Sequence, residues 1–225
     1  MIVMTNKDSE MILAFNKEAL EKIDLIQDML KVDVLAPTTL DDHAAMINTL
    51  NNLWDIAGVV GRRGDLEENF GFVQPIPSVV VKRGNEYFAY TRLEGSGEER
   101  LHNMSSLTLG GHANDIKYAW NFEHLMAVNT ARELEEEVYI LDESGEEIKN
   151  HYELSKELTV LGLGYTDKTD VDSVHLAIFS LLVIPENWDI KVKETDTLKG
   201  KFETIDEIKK MNLENWSKMA LNVLT

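Results

Sequence analysis

Residues 121–138 run without a glycine or proline and are rich in good helix formers, with Phe122, Leu125, Met126, Val128 and Leu134 recurring at spacings near three and four. The run predicts a helix. Its core is Arg132-Glu133-Leu134-Glu135-Glu136-Glu137-Val138. Residues three and four apart share a helical face, so Glu133, Glu136 and Glu137 project together while Glu135 points away. Like charges placed so repel one another unless a cation joins them. Hard oxygen ligands of this kind suit Mg²⁺ or Mn²⁺. An acidic helical run by itself is more often a solvated face, so the surroundings decide.

At 225 residues the chain can bury a large core. It has no apolar run of transmembrane length, and its first ten residues lack the basic start and apolar stretch of a signal peptide. A cytoplasmic protein is expected. The absence of cysteine excludes disulfides and thiolate catalysis. A net charge of −18 argues against an extended nucleic-acid or anionic-membrane footprint, which needs Lys and Arg surfaces. A small phosphorylated ligand is compatible with it, because cations and a few local arginines offset charge inside one cleft.

The first 69 residues read as helical. Residues 9–31 place Ile12, Phe15, Ala19, Ile23, Ile26 and Leu30 on one stripe with Ser9 as N-cap. A second helix follows Pro37, where Thr39 and Asp42 have capping-box spacing, and Gly58, Gly61 and Gly64 close it. These helices are expected to pack on something, a homodimer contact or a cover for the cleft. From Phe70 the period changes. Residues 78–82 and 87–92 are β-rich and flank a turn at 83–86, residues 95–98 form a second turn, and 101–109 lead as a short strand into Gly110-Gly111. Beyond the helix, 158–165, 174–184 and 188–195 read as strands. Thr204 with Glu207 caps a helix from Ile205, and residues 213–224 form the last one.

The run Arg-Glu-Leu-x-Glu-Glu, after a Gly-Gly-His turn and a long helical lead-in, resembles the Nudix box, G-x5-E-x7-R-E-U-x-E-E-x-G-U with U aliphatic. Arg132, Glu133, Leu134, Glu136, Glu137 and Ile140 fall on the pattern. Its first Glu falls on His124, with Glu123 one place off, and its opening Gly on Tyr118, as if residues 114–120 were inserted after Gly110 and Gly111. Its later Gly is Tyr139. The resemblance covers about Phe70 to the C-terminus. It implies an α/β fold, the Nudix α/β/α sandwich with a mixed sheet over residues 70–225, preceded by an α-helical extension over 1–69.

The resemblance also implies metal-dependent attack of water on phosphorus in a nucleoside diphosphate linked to another moiety: a nucleotide, nucleotide sugar or dinucleotide. Glu133, Glu136 and Glu137 would hold Mg²⁺ or Mn²⁺, and Arg132 would brace the box by pairing with Glu123 or Glu133. A general base outside the box falls best on Glu194, after the 188–193 strand, with Asp170 and Asp172 as competitors. Arg92 and Arg100 offer bidentate forks for phosphate. Gly110, Gly111 and His112 read either as a loop facing phosphate or metal, or as a tight strand-to-helix turn. His175, inside an apolar strand, reads by default as a satisfied core histidine. The departures at His124 and Tyr139 motivate an alternative, a nucleotide-sensing module that does not hydrolyse its ligand.

Overall fold

The computed structural model describes residues 9–22, 27, 33–95 and 99–225. In chain order its elements are β1 (Met11–Asn16), α1 (Lys17–Leu20), β2 (Val34–Leu35), α2 (Leu40–Ala57), β3 (Gly58–Arg62), α3 (Arg63–Glu67), β4 (Phe72–Arg83) and β5 (Glu86–Arg92). After a 3-10 turn at Glu99–Leu101 come β6 (Ser105–Ser106), β7 (Leu109–Gly110), α4 (Phe122–Glu137), β8 (Val138–Leu141), α5 (His151–Ser155) and β9 (Thr159–Gly164). The chain finishes with α6 (Asp170–Ser173), β10 (His175–Ile184), β11 (Asp189–Val192), β12 (Leu198–Thr204), α7 (Ile205–Ile208) and α8 (Asn215–Leu224). The described residues of 1–77, 111–129 and 162–178 form one compact unit, and those of 78–110, 130–161 and 179–225 a second.

The first unit corrects the expected N-terminal helix. Residues 11–16 are a strand, β1, paired antiparallel with β3 from Met11↔Arg62 to Phe15↔Gly58. Ile12, Leu13, Ala14 and Phe15 are all fully buried, so the segment is apolar on two faces. A short continuous apolar run fits a two-sided strand as well as a helical stripe, and its partners decide between them. Gly61, expected to end a helix, lies inside β3. Helix survives over Lys17–Leu20, where the Asn16 side chain accepts from the Ala19 N–H at 3.1 Å. Residues 23–26 and 28–31 of the expected helix lie outside the described residues.

The second expected helix is present as α2. Thr39 Oγ1 accepts from the Asp42 N–H at 3.1 Å, and the Asp42 carboxylate accepts from the Thr39 N–H at 3.0 Å, closing the capping box. Met46, Leu50 and Leu53 form its buried face, and Trp54 packs near Phe15 and Phe122 at ring separations of 6.2 and 6.1 Å. Gly58 ends it where the backbone passes close to Trp54: a Cβ there would lie 2.4 Å from the Trp54 carbonyl oxygen.

In the second unit β12 pairs antiparallel with β5 from Leu198↔Arg92 to Thr204↔Glu86, β5 also pairs with β6 and with the end of β4, and β7 pairs with β4. The hairpin between β4 and β5 turns at Gly84, whose φ of 56° suits glycine. The strand expected over 101–109 is broken into a 3-10 turn, β6 and β7. Asn103 takes a φ of 60°, and the Ser106 hydroxyl donates to the Thr108 carbonyl at 3.0 Å, so local side-chain bonding replaces a continuous ladder. The turn expected at 95–98 lies largely outside the described residues. The core gathers Val79, Val81, Phe88, Tyr90, Leu134, Val138, Ile140, Leu182 and Ile184. Leu134 is fully buried there, worth about 1.5–3 kcal/mol, and fixes the rotation of the last turns of α4. The helix passes directly into β8, which pairs with β11 from Val192↔Val138 to Asp189↔Leu141. Tyr139 therefore stands on the open side of a strand, with Lys193 Nζ 4.8 Å from its ring centre.

Candidate functional site

The second unit contains the end of α4, where burying Leu134 turns Glu133, Glu136 and Glu137 to their positions. Glu133 is buried, Glu137 half-buried and Glu136 exposed. Arg132 lies among them: Nη2 donates to Glu133 Oε1, and Nη1 donates to Glu136 Oε1 at 3.0 Å. Glu133 was one of the two partners expected for Arg132, and Glu136 is an additional one.

Glu137 carries the strongest electrostatic signal. Its carboxyl is pushed up to about 8, first by burial and then by the Glu133 charge, with Glu136 adding to the rise. Two groups pull the other way. Gly110 donates its N–H to Glu137 Oε2 at 3.1 Å, and the Arg92 guanidinium favours the ionised form. Gly110 holds a φ of 150°, which side chains rarely adopt, so the amide that meets Glu137 needs glycine. Burial, with Glu137 next, also pushes the Tyr90 phenol up, so it stays protonated.

Arg92 is held in place by Glu214, Nε to Oε1 at 2.7 Å, and its Nη2 reaches the Tyr90 hydroxyl at 3.4 Å. Glu214 is buried and precedes α8. Arg100 is exposed on the 3-10 turn. Glu194 is exposed after β11, its carboxylate accepting from Thr197 Oγ1 at 3.1 Å. Its neighbour Lys193 donates a backbone N–H to the Glu137 carbonyl at 2.9 Å.

The first unit holds the other expected residues. Gly111 leads to His112, whose Nε2 lies 3.2 Å from His175 Nε2 and 3.3 Å from Glu67 Oε1. His175 Nδ1 is 2.6 Å from the Val171 carbonyl, and burial pushes its imidazole below the ordinary histidine value. Asp172 is buried in α6 and Asp170 is exposed. The segment expected as an insertion is tied to α4 by Asn129, fully buried. Its Oδ1 accepts from the Asn114 N–H at 2.7 Å and its Nδ2 donates to the Asn114 carbonyl at 3.0 Å. Asn114 also bridges to Ile12 of β1. His124, where the family pattern has a glutamate, is buried and stacks on exposed Trp120, ring centres 3.3 Å apart.

No protein-family model matches the chain. Protein YmaB of Bacillus subtilis (strain 168) is 41% identical over 167 residues, 72% of this chain and 76% of that protein. The chain belongs to the YmaB family. Among solved structures, Tm1382, a candidate Nudix hydrolase, aligns with a TM-score of 0.68 at 23% identity over 96% of this chain and 98% of that one. This YmaB-family chain therefore has the Nudix fold, and the likeness takes in most of its first 69 residues. A NUDIX hydrolase from Alicyclobacillus acidocaldarius aligns more loosely, with a TM-score of 0.48 at 14% identity over 67% of this chain and 90% of that one.

Glu67, Glu214 and Asn129 were not singled out from the sequence of this YmaB-family chain. One acidic residue among 40 carries no signal until the fold brings it to a partner. Asn129 does carry one, a polar residue on the apolar side of a predicted helix.

Proposed function

We propose that this chain is a divalent-metal-dependent Nudix pyrophosphohydrolase. Its substrate would be a nucleoside diphosphate linked to another moiety, a nucleotide, nucleotide sugar or dinucleotide, cleaved by attack of water on phosphorus. The observation that carries this reading is the carboxylate cluster at the end of α4, where Arg132 pairs with Glu133 and Glu136 and the Gly110 N–H meets Glu137 Oε2 at 3.1 Å. Burial and Glu133 push the Glu137 carboxyl up, while Gly110 and Arg92 favour its charged form. A carboxylate held against its own desolvation is one that a cation stabilises.

The donors offered by Glu133, Glu136 and Glu137 are carboxylate oxygens, which fit Mg²⁺ or Mn²⁺. Such a cation, when bound, neutralises pyrophosphate charge and lowers the pKa of water. Arg132, paired to Glu133 and Glu136, keeps two of the carboxylates in one arrangement. The Gly110 amide fixes the third. Arg92, braced by Glu214, supplies positive charge near Glu137. In this proposal Glu194 is the general base, and Arg100 contacts substrate.

The same reading treats residues 70–225 as the hydrolase domain and 1–69 as its extension. It also includes a homodimer, for which exposed Ile56 on α2 is the supporting feature, and a cytoplasmic location. No helix among the described residues is long and apolar enough to cross a membrane. A second reading, a nucleotide sensor without turnover, is favoured by His124, buried under Trp120 where the family pattern has a carboxylate.

A panel of nucleoside diphosphate derivatives, incubated in Mg²⁺, Mn²⁺ or EDTA with products separated by chromatography, tests the proposal. Metal-dependent release of two phosphorylated products from one compound is expected. Nucleotide-dependent thermal stabilisation with no product from any compound favours the sensor.

A further inference from the structure

We propose that Glu67, His112 and His175 form a second metal site, one that takes a borderline transition-metal cation of the Zn²⁺ class. It shares no residue with the carboxylates of α4. Three element ends build it: Glu67 closes α3, His112 follows β7 by two residues, and His175 opens β10.

Two of the three separations between ligand atoms match such an ion. Zn–N and Zn–O bonds are about 2.0–2.2 Å, so two ligands at a tetrahedral angle lie about 3.3–3.5 Å apart. The two Nε2 atoms are 3.2 Å apart, and His112 Nε2 is 3.3 Å from Glu67 Oε1. All three ligand atoms fall within 4.8 Å of one another.

The hydrogen bonds to these side chains point the same way. A carbonyl oxygen only accepts, so the 2.6 Å contact to Val171 places the His175 proton on Nδ1 and leaves a lone pair on Nε2. That bond is the usual orienting partner of a metal-bound imidazole. A second imidazole nitrogen lies 3.2 Å from that Nε2 and a carboxylate oxygen within 4.8 Å of it. One Nε2 proton on His112 cannot fully serve both acceptors, whereas a cation serves all three. Arg63 Nε donates to Glu67 Oε1 at 2.8 Å and orients the carboxylate. His175 is buried, His112 nearly so, and the Glu67 side chain 35% exposed, leaving an open side for water or an exogenous ligand. Two imidazoles and one carboxylate select Zn²⁺-class ions, while Mg²⁺ prefers oxygen ligands and retained waters.

Cobalt substitution on the metal-stripped full chain tests this. A single equivalent of Co²⁺ should give the intense visible absorption of a four- or five-coordinate nitrogen-ligated ion, displaced by Zn²⁺ and untouched by excess Mg²⁺. His175→Ala should abolish it, and Glu67→Gln, a change at a partly exposed side chain, should weaken binding by about tenfold or more. If His175→Ala fails to fold, Glu67→Gln and His112→Gln give the same readout. Glu136→Gln should keep the absorption, so the result is independent of hydrolysis. A pale octahedral spectrum, a signal lost in Glu136→Gln, or one surviving in Glu67→Gln and the histidine variants overturns the site. So does no binding, which would leave a hydrogen-bonded His–His–Glu network.

Discussion

Gly110 donates its backbone N–H to the Glu137 carboxylate at 3.1 Å, from a backbone φ of 150° that only glycine adopts readily. Gly110→Ala is expected to cost about 1–3 kcal/mol, the strain of a side chain in that region. Urea unfolding at fixed pH measures it. A variant as stable as the wild type would show that the loop relaxes and that the amide contact is dispensable.

Glu137 gives stability a distinctive pH dependence. Its folded pKa is about 8 against 4.5 for the ordinary side chain, so between those values the folded chain holds a proton that the unfolded chain has released. Its contribution is full below pH 4.5 and is lost as pH rises through about 8. Glu137→Gln should remove this slope, and Mg²⁺ should oppose it by binding the ionised group. Thermal unfolding in EDTA, wild type beside the variant across that window, reads the difference. His175 works in the opposite sense, because its lowered pKa adds stability as pH rises through 6.5, and it cancels between the two proteins.

Much of this architecture is legible in the sequence because local signals and burial agree. The Thr39 capping box, the Gly84 hairpin, the Thr204 cap and the carboxylate helix are each set by residues within a few positions of one another. Residues 11–16 were not legible as a strand, because Ile-Leu-Ala-Phe satisfies either period and only pairing with β3 decides. The site divides the same way. Glu133, Glu136 and Glu137 follow from spacing along one helix, whereas Glu214 and Glu67 acquire roles only where distant segments meet.

The Arg92–Glu214 pair is partly buried, so removing one member leaves a charge poorly solvated. Glu214→Ala should destabilise by an amount near the lower end of the about 3–5 kcal/mol typical of broken buried pairs. Chemical denaturation checks the magnitude. A loss below about 1 kcal/mol would place the pair with ordinary surface bridges.

Asn129 meets both backbone groups of Asn114 from a fully buried position and donates to the Leu125 carbonyl as well. Asn129→Leu is expected to cost about 1–3 kcal/mol for each buried backbone group left unsatisfied. Hydrogen exchange should then show lost protection at the Asn114 amide. Unchanged protection there would mean that pairing with β1 alone holds the segment.

Turnover of the wild type beside Glu136→Gln, in Mg²⁺ and in EDTA, decides whether the α4 carboxylates hold a catalytic metal. The Glu136 side chain is 57% exposed and paired with Arg132 across one helical turn, so the substitution should change stability by no more than about 1 kcal/mol. Metal-dependent cleavage of a phosphoric anhydride by the wild type is expected, with a fall of about two orders of magnitude or more, equivalent to about 2.7 kcal/mol or more in barrier, in the folded variant. Wild-type turnover in Glu136→Gln, or cleavage that persists in EDTA, would contradict it.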